Sequence, residues 1–275
     1  MSTPRRHTCL AARVRALAAA LLVAAWALAA ARPAAGADWT DIWWAVPEVG
    51  WGVNFVQSDR FIFATFYLHD EGLQPVWYTG EMTSNGDGGV WSGPLYRTTG
   101  SFYGAPWNGS QTSTQPVGNV TFTRSSSYTG TLQYNVGTVS VTRQITRLTL
   151  TSIRLGGVYR GGFVSYVERC DNPANNGVSR VFVDVVATQT TSGNLTLAFH
   201  DNYQSGQLLC SVGGASLQDG LLHRIPNASY TCGTTFATTA LVTQIKATAQ
   251  GIEGVWQAPV GGGCIEQAYF SAVLY

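Results

Sequence analysis

The residues able to do chemistry are few and scattered. Beyond residue 37 the chain has three histidines, His69, His200 and His223. Two of them precede an aspartate, as His69-Asp70 and His200-Asp201. Neighbours in a strand face opposite sides, so adjacency alone does not align either pair as a base and its orienter. Both pairs read as strand ends entering turns. Neither a Gly-x-Ser-x-Gly elbow nor a His-Glu-x-x-His motif is present. Paired carboxylates could cleave glycosides, and the candidates are Glu48, Asp70, Glu71, Glu81, Asp87, Glu168, Asp171, Asp184, Glu253 and Glu266. Most fall in turns. Glu48, Glu168 and Glu266 stand apart because each sits near an aromatic or cysteine-framed rim. Glu48 lies three residues before Trp51, placed to accept from a backbone or indole N–H. Asn85-Gly86-Asp87-Gly88 lacks the spacing and downstream glutamate of a calcium loop and reads as a turn.

The cysteines point to an address rather than a reaction. Cys170, Cys210, Cys232 and Cys264 remain once a leader is removed. An even count in an exported chain implies two disulfides, whereas zinc would call for Cys-x-x-Cys pairs or clustered histidines. The leader itself is legible. Arg5, Arg6, Arg13 and Arg15 form a basic start, Ala16 to Ala31 is an apolar run, and Ala35-Gly36-Ala37 offers a cleavage site. Residues 1–37 are therefore expected to be a signal peptide, and the mature protein to be secreted or periplasmic. Taking the five leader arginines from 16 Lys+Arg leaves 11 bases against 15 acids, a formal charge of −4. That balance excludes a basic surface for nucleic acid. No later segment is long and apolar enough to insert in a membrane as a helix.

Aromatic residues dominate what is left. Trp43, Trp44, Trp51, Trp77, Trp91 and Trp107 all precede residue 150. Flat apolar faces with one polar edge suit sugar rings or the anchor positions of a protein interface. Small β-domains also use tryptophan to fill cores and rims.

Short alternating runs separated by Gly, Asn, Asp and Pro predict an all-β protein of two antiparallel meander β-barrel domains, 38–150 and 151–275. In the first, strands are expected at 51–57, 61–69, 74–82, 89–96, 118–123, 127–134 and 138–148. The strand from Phe61 is apolar on both sides, with Phe61, Phe63 and Tyr67 opposite Ile62, Phe66 and Leu68. One side builds the core. The other needs a cover: the second domain, the Trp43-Trp44 segment, or a partner protein. The stretch from Thr98 to Val117 reads as one long loop, either a plug over the barrel end or a lid over a ligand.

In the second domain, strands are expected at 157–168, 178–187, 194–200, 207–212, 228–232, 235–247, 251–257 and 264–275. First and last strands of a closed antiparallel barrel are neighbours. Cys170, just past the first, and Cys264, starting the last, then share a rim. The pairing predicted is Cys170–Cys264 and Cys210–Cys232.

The run Trp43-Trp44-Ala45-Val46-Pro47-Glu48-Val49-Gly50-Trp51-Gly52-Val53-Asn54 resembles the opening of a Trp-rich β-domain that recurs in exported proteobacterial proteins. The likeness continues through Phe63-Ala64-Thr65-Phe66-Tyr67, Pro75-Val76-Trp77-Tyr78, Gly93 to Gly100 and Arg143-Gln144-Ile145-Thr146-Arg147, and spans the first domain. It implies export and an all-β fold, and brings no catalytic residues. The second half is similar to cysteine-containing domains that sometimes follow. At the level of fold both halves resemble avidin-like and lipocalin-like barrels, which does not transmit function.

The reading is thus of an exported, non-catalytic binding protein, with no cofactor or metal expected. Trp44, Glu48, Trp51, Trp77 and Trp107 are the expected ligand-binding residues, Glu48 orienting the rings and the Thr98–Val117 loop acting as gate. The ligand would be a small molecule or carbohydrate. A secreted interaction or inhibitor module is the alternative, docking another exported protein through the bridged rim near Cys170 and Cys264. A hydrolase is the third reading.

Overall fold

The computed structural model describes residues 38–275 except 85, 87–88, 202–205, 234–235 and 249. The leader expected at 1–37 and Asp87 of the candidate calcium turn lie outside the described residues.

The first barrel is a meander of eight strands. These are β1 (Asp41–Trp44), β2 (Gly52–Ser58), β3 (Phe61–His69), β4 (Pro75–Ser84), β5 (Val90–Thr99), β6 (Ser113–Arg124), β7 (Thr129–Val136) and β8 (Val139–Arg147). Each pairs antiparallel with the next, and β1 pairs with β8 to close the ring. Alternation decides which side chains enter. Val53 and Phe55 of β2, Ile62, Ala64 and Phe66 of β3, and Met82 of β4 are buried, while their sequence neighbours face out. The interior is aromatic: Trp39, Trp43, Phe55, Trp91 and Phe122 meet with centroid separations of 5.1 to 6.1 Å. Gly130 is part of that packing, because the Phe122 ring occupies the space a side chain would need.

Asp41–Trp44 was not among the expected strands, and Trp43-Trp44 was one of three candidate covers for the outer side of the strand from Phe61. It is instead a strand of the ring, with Trp43 wholly buried and Trp44 facing outward. The Thr98–Val117 loop is also shorter than expected. Past an irregularity at Leu95/Tyr96, β5 and β6 continue pairing through Thr99↔Ser113 and leave only 100–112 as connection. Phe102, Tyr103 and Trp107 are 65, 97 and 79% exposed, so this segment does not plug the barrel end.

The second barrel contains β9 (Gly157–Glu168), β10 (Gly177–Gln189), β11 (Asn194–Asp201), β12 (Leu208–Ala215), β13 (Leu217–Asp219), β14 (Leu222–Cys232), β15 (Phe236–Ala247), β16 (Gly251–Gly261) and β17 (Cys264–Leu274). Pairing of β17 with β9 and of β12 with β14 closes it, while short β13 forms a side hairpin on β14. β14 begins six residues before the expected Ala228, and β13 was not anticipated. Both expected disulfides are present, Cys170–Cys264 and Cys210–Cys232. The first ties β9 to β17 at their rim. The second joins residues directly opposite each other in the β12–β14 seam.

Trp39–Tyr275 forms one compact unit. Asp41 Oδ2 accepts from Arg147 Nη1 (3.0 Å) and from the Leu221 backbone N–H of the second barrel (2.9 Å). Gly220, at φ +62°, makes this approach possible, since a side chain there would strike the Asp41 carboxylate. Thr149 Oγ1 accepts from Gly220 N (2.8 Å), and the Arg224 guanidinium lies 4.3 Å from the Tyr128 ring centroid.

Candidate binding surface

The five expected ligand-binding residues belong to one end of the first barrel, the end away from the second. Connectivity sets this: the turns after β1, β3, β5 and β7 emerge there, and the chain leaves for the second barrel at the opposite end. Glu48 and Trp51 occupy the β1–β2 connection, which contains the cis Val46-Pro47 bond. Trp51 Nε1 donates to Glu48 Oε2 (3.0 Å), as the spacing suggested, and Arg143 Nε donates to the same oxygen (2.7 Å). Arg143 was not foreseen at this site. Glu48 and Arg143 are both about four-tenths exposed, so the pair fixes orientation more than it stabilises. Beneath them, burial pushes the Tyr134 phenol pKa up, Arg143 opposes this, and Glu48 and Tyr78 add to it.

Trp44 and Trp77 lie on the outer sheet rather than at the mouth, at opposite ends of one row. The β1–β2 register sets Trp44 level with Gly52, Gly52 pairs with Tyr67, and Tyr67 pairs with Trp77. One row across four strands therefore reads Trp44, Gly52, Tyr67, Trp77. Below it come the polar row Asn54, Thr65 and Thr79, then Val56, Phe63 and Glu81, and then Phe61. Tyr67 and Trp77 are 54 and 52% exposed, and Phe61 and Phe63 each 37%. The outward side of β3 was expected to be covered. Neither the second barrel, which meets the first near Asp41, Tyr128 and Thr149, nor Trp43, which is in the core, covers it. Tyr67 is the residue the sequence reading left out of its site, although its place opposite Ile62, Phe66 and Leu68 marked it as outward. Trp107 is in the exposed 100–112 segment and makes no ring contact with the row.

Both His-Asp pairs sit at strand ends. His69 and Asp70 sit at the β3–β4 turn, where Asp70 accepts from the Gln74 backbone N–H (2.9 Å). His200 Nδ1 lies 2.9 Å from Gly206 O. Among the described residues, no three or more His, Cys, Asp or Glu side chains gather as a metal site. Of the other two rim carboxylates, Glu168 ends β9 exposed, and Glu266 is buried inside the second barrel.

Fold and surface together define a double up-and-down β-barrel protein with an uncovered aromatic face. No family model matches the chain, and no curated protein matches it. Among solved structures it is similar to a variant of transferrin binding protein B, a vaccine antigen from Haemophilus parasuis, at 12% identity and a TM-score of 0.31. That match covers 79% of this chain and 66% of the other, just under two thirds of its length. A protein of unknown function from the DUF3598 family, from Nostoc punctiforme, matches at 8% identity and a TM-score of 0.28, over 85% of this chain and 93% of its own. Likenesses this distant carry no argument about function. The two disulfides are compatible with an extracellular or periplasmic location. Among the described residues, no helix is long and apolar enough to cross a membrane.

Proposed function

We propose that this is an exported, non-catalytic binding protein that docks another exported protein through the outer aromatic face of β2–β4. In this reading residues 1–37 are the signal peptide, and 38–150 and 151–275 are two domains. The observation that carries it is the pairing of a filled barrel with an uncovered aromatic sheet. Trp39, Trp43, Trp91 and Phe122 occupy the interior, while Tyr67 and Trp77 stand half exposed side by side. A convex aromatic sheet offers no enclosure for a small molecule, but it supplies the Trp and Tyr anchors on which protein interfaces depend. Glu48 and Trp51 then frame the upper edge of that face instead of lining a mouth. Family membership in the Trp-rich exported β-domains belongs to the same proposal.

The test is site-specific photo-cross-linking in the envelope of the native host. Benzoylphenylalanine replaces Tyr67 or Trp77, and Gln144 on the opposite side serves as control. One protein adduct from 67 and 77, absent from 144, is expected. Trp77→Ser should abolish the adduct from 67 while changing stability by no more than about 0.5 kcal/mol, as for other surface positions. A carbohydrate adduct, an equal adduct from all three positions, or none would overturn the reading.

A further inference from the structure

The second barrel has its own concavity, at the rim away from the linker. A cavity of about 350 Å3 is bounded by Phe163, Val181, Phe199, Leu208 and Cys210, with Ser179 at its edge. Ligand pockets begin at roughly this size, about 300 Å3. Against its wall lies a polar cluster within an apolar core of aliphatic and aromatic side chains. Glu266 points inward from β17 and is only 6% exposed. Its Oε1 accepts from Ser165 Oγ, while its Oε2 meets no partner at full hydrogen-bond geometry and has only the Tyr230 phenol near it. Trp256 Nε1, on a side chain with no exposure, likewise meets no partner at full geometry and faces the same phenol. The Tyr230 phenol is beside Glu266, and burial, reinforced by the carboxylate's charge, pushes its pKa up.

Cavity and cluster share their walls. Phe163 and Phe199, which line the cavity, lie 5.4 and 5.3 Å from the Trp256 ring. Cys210 Sγ, also at the cavity, is 3.9 Å from Tyr230 Oη. Ser179 at the cavity edge is the cross-strand partner of Ser165, the residue that holds Glu266. A buried carboxylate is expensive unless it is paired. None of the four ion pairs among the described residues includes Glu266. Aromatic rings around an acid favour a cation, through the ring faces as well as through charge.

We propose that the rim of the second barrel is a small-molecule site for an apolar amine, with Phe163, Val181 and Phe199 as walls for the apolar body and Glu266, behind that wall, as counter-charge to the ammonium. This goes beyond the docking face of the first barrel and stands or falls separately from it.

The experiment uses the protein with both disulfides intact and three probes of similar shape: 2-phenylethylamine, 2-phenylethanol and 3-phenylpropionate. Binding is read by calorimetry and by saturation-transfer NMR. The amine is expected to bind, the alcohol about tenfold more weakly, and the carboxylate not at all, given what a hydrogen bond to a charged group is worth. Glu266→Gln should weaken the amine about tenfold and leave the alcohol unchanged. Val181 is 38% exposed, so Val181→Trp should fill the cavity without disturbing the core and abolish binding of both probes. No amine binding, equal affinity for amine and carboxylate, or an amine affinity unmoved by Val181→Trp would overturn the proposal. The last two comparisons stand even where Glu266→Gln fails to fold.

Discussion

The two barrels close the same kind of ring by different means. In the first, the closing β1–β8 seam contains two register pairs, Trp43↔Arg147 and Trp44↔Thr146. It is held by a buried ion pair inside an aromatic cage: Arg147 bonds Asp41 and lies 5.8 and 4.8 Å from the Trp39 and Trp43 rings. In the second, the closing β9–β17 seam has ten register pairs and the Cys170–Cys264 bridge at its rim, while the Cys210–Cys232 bridge sits in the four-pair β12–β14 seam. A meander closes late, when its first and last strands meet, so each barrel concentrates its strongest local device there. One device is electrostatic and needs no oxidant. The other depends on the compartment.

Removing the longer bridge should show the largest effect. Cys170 and Cys264 are 94 residues apart, and the chain-entropy account gives such a closure about 4 to 5 kcal/mol. Cys210–Cys232, separated by 22 residues, should contribute about 3 kcal/mol. Cys170→Ala/Cys264→Ala is therefore expected to lower the denaturation midpoint more than Cys210→Ala/Cys232→Ala. Hydrogen exchange should show the loss in β9–β17 and leave β2–β7 protected. Equal loss of protection in both barrels would mean that they unfold as one unit, and the contrast between the seams would then have no energetic content.

Arg147→Met comes next. It leaves Asp41, 7% exposed, as an unpaired buried charge, and breaking one side of such a pair costs about 3 to 5 kcal/mol. Asp41→Asn/Arg147→Met should recover a large part of that loss, because it removes the stranded charge as well. Asp41 also accepts from Leu221 N, so the single variant should loosen the contact between barrels and raise exchange at Leu221. Chemical denaturation of the three proteins checks the cycle. A single variant that loses less than about 1 kcal/mol, the range of an exposed pair, would return the seam to ordinary strand pairing.

Alternation and turn residues made the barrels legible, because a half-buried strand must alternate and a hairpin must turn on Gly, Asn or Asp. The same logic reached both disulfides, since ring closure makes first and last strands neighbours. The facing of the opening tryptophans was not legible. Trp43 and Trp44 are chemically identical, and only their register with Val53 and Arg147 sends one inward and the other out. The outer half of β5–β6 was missed because a Gly, Ser, Thr and Pro-rich ribbon with a register irregularity carries no apolar face to reveal it. Glu266 was noticed for its rim position, yet its direction could have been read too. Cys264, Glu266, Ala268, Phe270 and Ala272 share one side of β17, and every other member of that set is small or apolar and buried.

The gentlest perturbation is pH, and it acts on the second barrel. His223 is 3% exposed at the linker end of β14, and neither of its ring nitrogens meets the geometry of a hydrogen bond. Burial lowers its pKa from the usual 6.5, while Ile153 and Asp219 oppose the shift. Its folded form therefore holds the proton less tightly than the unfolded chain. Below pH 6.5 the unfolded state binds more protons, so stability must fall as pH falls, until the folded pKa is passed and the loss levels off. One such group can contribute at most about 1.4 kcal/mol per pH unit. His223→Gln should flatten that part of the stability curve, and the wild-type-minus-variant difference isolates the histidine from every carboxylate. If the exchange protection lost on acidification maps to β14 and the strands beside it, the linker end of the second barrel is the pH-sensitive element. If it maps elsewhere, the buried histidine is not what acid loosens, and the pH contrast between the two barrels falls away.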